Sequence, residues 1–339
     1  MKKVAVLCSS IIITSLLASG CTSNYKKNVP INNKNTESSV NPFDLNDEKS
    51  DVQAAFGFGP VNPVDELSYT GAPIQQEYFY DNVGGADCNL GFMIFIDGIA
   101  QSYKINGENT EEIMHKFDVK KKSKIMFKAS FKPNIGKKGD KLGLYVTTIV
   151  NPKHVPSVKS PDFGNNLALS QVLPVNLKYV ESANNSQLKV YDKYLMQNVT
   201  EKIKNQYLSA DESNKGKYVS NQASLFYLKY NGDYKGSKIE LKKTSKLSLT
   251  LEGLCGPNDG KYRTTIYIDN KPVKTIDGKD YLEMQLKKGM LSKQNFDVDI
   301  NGITGIHVLY TISVPQGNDY SILTNPIVES SCKLLVIGE

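Results

Sequence analysis

The stretch FMIFIDGIAQ, residues 92–101, has an echo in TTIYIDNKPV, residues 264–273, and the pair decides the fold. Each reads as an alternating apolar strand that ends in Ile-Asp. The next residue is Gly98 or Asn270, and both tolerate the positive φ of a tight hairpin turn. A cysteine precedes each strand, Cys88 and Cys255. Further on, FKPNIGKKGDKLGLYVTTIVNP (131–152) parallels FDVDINGITGIHVLYTISVP (296–315). In both, Phe is expected to open a strand, a Gly-containing turn follows, and a Leu/Tyr/Ile-rich strand ends at proline. The blocks occur in the same order in each half, the mark of a duplicated domain.

Around these blocks the writing is strand and turn. EYFYDNV, KIMFKASF and KLGLYVTTIV are short runs of aromatic and β-branched residues separated by Gly, Pro, Asn and Asp, without helical periodicity. The expected fold is therefore all-β, with two tandem sandwiches, immunoglobulin-like in outline. The Cys…Trp…Cys hallmark is missing, because the chain has no Trp. The expected organisation is a leader at 1–20, a disordered tether at 21–55, a first sandwich at 56–183, a linker at 184–217 and a second sandwich at 218–339. In the linker, Tyr191, Leu195, Val199 and Ile203 sit at helical spacing, which predicts one amphipathic helix.

The first residues carry an address. Lys2 and Lys3 precede an apolar run from Val4 to Leu17, followed by the small residues Ala18, Ser19 and Gly20. That is the layout of a secretory signal peptide, too short for comfortable spanning of a bilayer. Leu17-Ala18-Ser19-Gly20-Cys21 resembles the lipobox of a bacterial lipoprotein precursor, with Ala18 where that family usually has Leu, Val or Ile. The resemblance implies cleavage before Cys21, a diacylglyceryl group on its sulfur and further acylation by palmitate or a similar chain. Two or more acyl chains give stable anchoring where one gives only reversible binding. The implied location is the extracytoplasmic face of the cell membrane. An ordinary secreted protein and an uncleaved anchor are the alternatives. Residues 22–55 are rich in Asn, Ser, Lys and Asp, a composition that cannot offset its ordering entropy.

Composition narrows the partners. The 339 residues are 40% hydrophobic and 22% charged, with a formal net charge of +6. Loss of Lys2 and Lys3 with the leader lowers that to about +4. Arg263 is the one arginine, whereas phosphate and base readers lean on the guanidinium fork, so no nucleic-acid partner is expected. Abundant Lys and Asn match the residue usage of an AT-rich genome and point to a low-GC Gram-positive host. Once Cys8 leaves and Cys21 is acylated, Cys88, Cys255 and Cys332 remain. Their spacing supports no zinc site. Cys255 and Cys332 can form a disulfide outside the membrane, or all three can be buried thiols.

Catalytic equipment is sparse. His115, His154 and His307 fall in separate segments, with no G-x-S-x-G elbow, H-E-x-x-H helix or phosphate loop. They read as surface or loop residues. Asp297/Asp299 and Asp277/Asp280 are paired carboxylates outside any calcium-loop pattern. Asp97 and Asp269 recur at matching turns and read as Asx-turn residues. Tyr78, Tyr80, Tyr227, Tyr230 and Tyr234 offer a sugar-stacking platform or half-buried packing. The densest feature is KFDVKKKSKIMFKASFKPNIGKKGDK, residues 116–141, which predicts a lysine row on a sheet face. Lys120, Lys121, Lys122 and Lys124 are the candidate contacts to an anionic surface, or else edge protection. The expected role is a non-enzymatic binding or structural lipoprotein, without cofactor or metal, whose partner is a protein or an anionic wall polymer. An envelope hydrolase, or an accessory component of an export, conjugation or pilus apparatus, is the alternative.

Overall fold

Eleven strands from the first half form two sheets. In chain order they are β1 (Phe56–Pro60), β2 (Glu66–Tyr69), β3 (Ile74–Asn82), β4 (Cys88–Ile96), β5 (Ile99–Ala100), β6 (Lys104–Ile105), β7 (Met114–Val119), β8 (Ser123–Phe131), β9 (Lys141–Val150), β10 (Leu169–Gln171) and β11 (Val175–Tyr179). The computed structural model describes residues 55–172, 174–184, 187–207, 223–317, 326–330 and 332–338. The leader, Cys21 and all but the last residue of the expected tether lie outside the described residues.

One sheet runs β1-β3-β8-β6. The other runs β2-β11-β9-β4-β5, with β7 also on β4 and β10 also on β9. The first strand pair of the second sheet, β2 with β11, is parallel, and the rest are antiparallel. This is the connectivity of an immunoglobulin-like sandwich, in which the opening strand switches sheets and pairs with the closing one.

The second half repeats it, with an isolated bridge in the place of β6. Its elements are β14 (Leu225–Lys229), β15 (Lys238–Leu241), β16 (Lys246–Leu254), β17 (Gly260–Ile268), β18 (Lys271–Val273), β19 (Tyr281–Leu286), β20 (Met290–Asp299), β21 (Gly305–Pro315), β22 (Val328–Glu329) and β23 (Lys333–Ile337). Strand β14 pairs β16 as β1 pairs β3, and β15 runs parallel to β23 as β2 does to β11. Even an irregularity recurs. The edge strand beside β4 is split into β5 and β7, and the one beside β17 into β18 and β19. Between the pieces the chain crosses to the other sheet, touching β8 at Lys104–Ile105 and β20 through a Thr275↔Val298 bridge. Asp97 (φ 47) with Gly98 (φ 81) and Asp269 (φ 50) with Asn270 (φ 66) form matching two-residue turns, the type I′ geometry that suits strand twist.

Two expectations of detail need correction. Phe131 closes β8 and Phe296 lies inside β20, so neither opens a strand. The linker helix is also shorter than its periodicity predicts. Val190–Tyr191 form β12, Leu195–Asn198 form β13, and among the described residues of the linker only Glu201–Gln206 are helical, as α1. Pairing overrides periodicity here: β12 adds to β19 and β13 to β20, closing the side of the second sandwich. Thr200 caps α1 by accepting the Ile203 N–H.

Three apolar layers follow. Tyr78, Tyr80, Phe92, Ile94, Val146 and Phe127 fill the first sandwich. Leu249, Leu251, Ile266, Phe296 and Leu309 help to fill the second. A third cluster joins the two from the opposite faces of the same strands: Met93, Phe95, Tyr145 and Ile149 against Tyr267, Tyr310, Ile312 and Val314. Because strand side chains alternate, β4 buries Phe92, Ile94 and Ile96 inward and Met93 and Phe95 in the seam.

The seam is held at its rims by the two matching turns. Asp97 Oδ1 accepts the Gly317 N–H at 2.8 Å, and Arg263 Nη1 donates to the Asp97 carbonyl. On the opposite rim Asn270 Nδ2 donates to the Pro152 carbonyl at 2.6 Å. Each turn thus docks near the end of the other copy's β9 or β21, a reciprocal arrangement of the kind that two-fold dimers use. The described cysteines take no part in disulfides. Cys88, Cys255 and Cys332 are free and buried. Cys255 lies in the second core and Cys332 in the seam cluster, so of the two readings the structure has buried thiols rather than a Cys255–Cys332 bond.

Candidate functional site

The lysine-rich segment does not make one basic face. Lys120, Lys121 and Lys122 form the turn between β7 and β8, while Lys124 and Lys128 alternate along β8. The neighbouring strand balances that row, with Asp81 opposite Lys124 and Glu77 opposite Lys128. Lys120 pairs with Asp87 at 2.8 Å, and Lys124 lies over the Phe79 ring, 4.4 Å from its centroid. Excess positive charge is therefore concentrated at the turn.

Each histidine is occupied. His115, expected on the surface, is buried on β7, and its Nε2 faces the Tyr103 carbonyl at 2.7 Å. His154 sits beside Phe163. His307 is held from both sides, Nδ1 by Asp269 at 2.6 Å and Nε2 by the Thr304 carbonyl at 2.8 Å. Two acceptors require two N–H donors, hence an imidazolium. Partial burial pulls its pKa down, but the bonds to Asp269 and Thr304 outweigh that and raise it. With both nitrogens engaged, this His–Asp pair has no free lone pair to act as a base.

The recurrent aspartates have diverged. Asp97 ties the first sandwich to Arg263 and Gly317, whereas Asp269 holds His307 and the Val308 N–H. Among the paired carboxylates, Asp280 is bridged to Lys274 and Asp299 accepts the Asn301 amide. No three His, Cys, Asp or Glu side chains converge as a metal site among the described residues. Of the tyrosines, Tyr78 and Tyr80 are core residues. Tyr227 and Tyr234 pack on Tyr207, which follows α1.

That tyrosine group covers a buried charge pair. Lys229 and Glu252 stand 2.6 Å apart, each with 6% of its side chain exposed, and the Tyr207 hydroxyl donates to the same carboxylate. Burial, with Glu252 beside it, holds the Tyr207 phenol far above its ordinary pKa, so it remains a donor.

Beside this lid the outer face of β16 and β20 lies open as a groove of about 470 Å³. Its floor is Ser248, Thr250, Asn295 and Asp297. Its walls include Tyr191 from β12, Asn231 from the turn after β14, and Ile276. Ser248 Oγ donates to Asp297 Oδ1 at 2.5 Å, and Lys246 Nζ approaches Oδ2 at 3.1 Å. Those bonds hold the carboxyl below its usual range, so it is an ionised acceptor. Thr250 Oγ1 donates to Asn295 Oδ1 at 2.8 Å. Among the described residues the Asn295 amide nitrogen has no protein partner. The site assembles five separate segments, and of its lining Tyr191, Asp277, Phe296 and Asp297 stood out in the sequence, none of them as part of a groove.

No family model matches the chain, and no curated protein sequence matches it. Similar solved structures include the CARDB domain of a Pyrococcus furiosus protein, at 14% identity over 38% of this chain and 97% of that one, with a TM-score of 0.25. A second is the CsuC–CsuE chaperone–tip adhesion subunit pre-assembly complex from archaic chaperone-usher Csu pili of Acinetobacter baumannii. It is 10% identical over 84% of this chain and 100% of that one, with a TM-score of 0.24. The calcium binding domain CBD12 of CALX1.1 is 8% identical over 80% of this chain and 96% of that one, with a TM-score of 0.21. Scores this low carry no argument about function.

Proposed function

We propose that the chain is an extracytoplasmic lipoprotein, acylated at Cys21, whose sandwiches form a non-enzymatic module that binds a hydroxyl-rich polymer of the cell envelope. The groove on β16 and β20 carries this reading. Its floor offers an ionised acceptor at Asp297, a free amide donor at Asn295 and hydroxyls at Ser248 and Thr250, with Tyr191 as an aromatic wall. Alternating donors and acceptors on a rigid sheet suit a ligand that presents both in the same hydroxyl group. A hydrolase is disfavoured because His307, the histidine beside a carboxylate, has both nitrogens engaged.

Two experiments test the proposal. Cys21→Ser moves the protein from the detergent-extracted membrane fraction to the medium. Retention in the membrane contradicts the lipoprotein reading. Pull-down on purified wall polysaccharide falls on the order of tenfold for Asn295→Ala with Asp297→Ala, the loss of two good hydrogen bonds. Equal retention of variant and parent contradicts the groove as the ligand face.

A further inference from the structure

The two sandwiches differ in one respect that their shared topology makes legible. In the second, β20 is paired along both edges, by β16 on one side and by β13 on the other, with Leu195 opposite Lys293 and Asn198 opposite Met290. In the first, the corresponding strand β8 is paired with β3 along its whole length. Its other edge meets β6 only at Lys104↔Ser130 and Ile105↔Ala129, and Asn106 ends the contact by bonding both the N–H and the C=O of Lys128. Among the described residues no strand pairs with Ser123–Phe127 on that side.

We propose that this bare edge of β8 is a docking site for an extended acidic polypeptide, which adds to it as an antiparallel strand just as β13 adds to β20. Lys128 directs its backbone N–H and C=O to this edge, and strand geometry repeats every two residues. Met126 and Lys124 therefore present their backbone groups there too, two donors and two acceptors in line. Strand addition takes affinity from such main-chain bonds and specificity from the side chains beside them.

Charge selects the occupant. Lys120, Lys121, Lys122 and Lys124 are all exposed at the end of this edge, and Lys120 alone among them has a carboxylate within ion-pair distance. Met126, 67% exposed, supplies the apolar contact between Lys124 and Lys128. A strand that alternates acidic with β-branched residues places its carboxylates near Lys124 and the lysine turn. The same lysines keep the edge from pairing with a second copy of itself, so protection and selection have one cause.

The test uses the purified protein and a synthetic decapeptide alternating Glu with Val and Thr. The expected result is saturable binding that weakens several-fold as salt rises from low to high ionic strength. Slowed amide exchange should centre on Lys124 and Met126. A peptide N-methylated on alternate residues loses the main-chain donors and binds on the order of tenfold more weakly, with the protein unaltered. Lys121→Gln with Lys122→Gln weakens binding and removes part of its salt dependence. Undiminished binding of the N-methylated peptide, protection mapped elsewhere, or no binding at millimolar peptide overturns the proposal. So does binding of phosphatidylglycerol vesicles that depends on the same lysines while the peptide fails to bind, which would make the turn a membrane contact instead.

Discussion

Gly98 shows how one residue couples a turn to the joint between sandwiches. Its φ of +81° lies in the left-handed region, and a Cβ built there would stand 2.6 Å from the Arg263 Cβ of the other sandwich. An L side chain at that φ costs about 1–2 kcal/mol by itself. It would also displace Arg263 from Asp97. Gly98→Ala should therefore lower stability by about 2–3 kcal/mol, measured by denaturant unfolding. At the matching position, Asn270→Gly keeps the backbone permissible but loses the bonds to the Pro152 carbonyl and the Tyr310 hydroxyl. Its cost should be nearer 1–2 kcal/mol. The order of the two effects is the check: a costlier Asn270→Gly would mean that the turns do not bear on the seam as described.

At the scale of elements, the buried pair beneath the tyrosine lid fixes α1 against the second sandwich. Glu252 serves Lys229 and Tyr207 at once, so Glu252→Ala leaves a buried ammonium and a buried hydroxyl without their acceptor. The expected loss is about 3–5 kcal/mol in equilibrium unfolding. Lys229→Met with Glu252→Leu should recover the part due to the buried ammonium, because an apolar pair of similar volume has no charge to desolvate, and should leave only the cost of the Tyr207 hydroxyl without its acceptor. The elements also show what the sequence made legible. The two strand–turn echoes at 92–101 and 264–273 were readable because a type I′ turn demands positive φ, which few residues accept. The linker does hold a helix, but a shorter one than its spacing predicts, for a geometric reason. Tyr191, Leu195, Val199 and Ile203 are four apart, and four is an even number, so the same spacing puts them on one face of a strand. Only pairing with β19 and β20, far away in sequence, decides between the two. The lysine row misled for a related reason, since its balancing acids, Glu77 and Asp81, lie on the neighbouring strand and outside any local window. The groove was not legible because its floor and walls come from segments scattered between residues 191 and 297.

For the whole molecule, the seam is the defining feature, and the run FMIFI at 92–96 carried a sign of it. The run is apolar at every position rather than alternating, a pattern that buries both faces of a strand, and the seam is the third layer that covers it. The seam also confers a pH dependence. Glu329 on β22 lies beside the Leu169 amide of the first sandwich, and its Oε2 is buried with no hydrogen-bond partner among the described residues. Desolvation raises its pKa to about 8, against a smaller lowering by the Leu169 bond. The folded state therefore holds a proton that the unfolded chain releases near the ordinary carboxylate value of 4.5. Stability should be fullest below that value and fall until about pH 8, by at most about 1.4 kcal/mol per pH unit. Glu329→Gln should flatten this slope in unfolding experiments at several pH values, and an unchanged slope would place its cause elsewhere.

Small-angle scattering on residues 50–339 is the most direct test of the central claim that two copies of one sandwich are docked face to face as a single body. A compact chain of that length has a radius of gyration of about 19 Å. The account predicts a value close to this and a distance distribution with one maximum, with Arg263→Ala and Asp97→Ala together shifting both toward separation. A bimodal distribution from the parent protein, with a radius well above that figure, would contradict it.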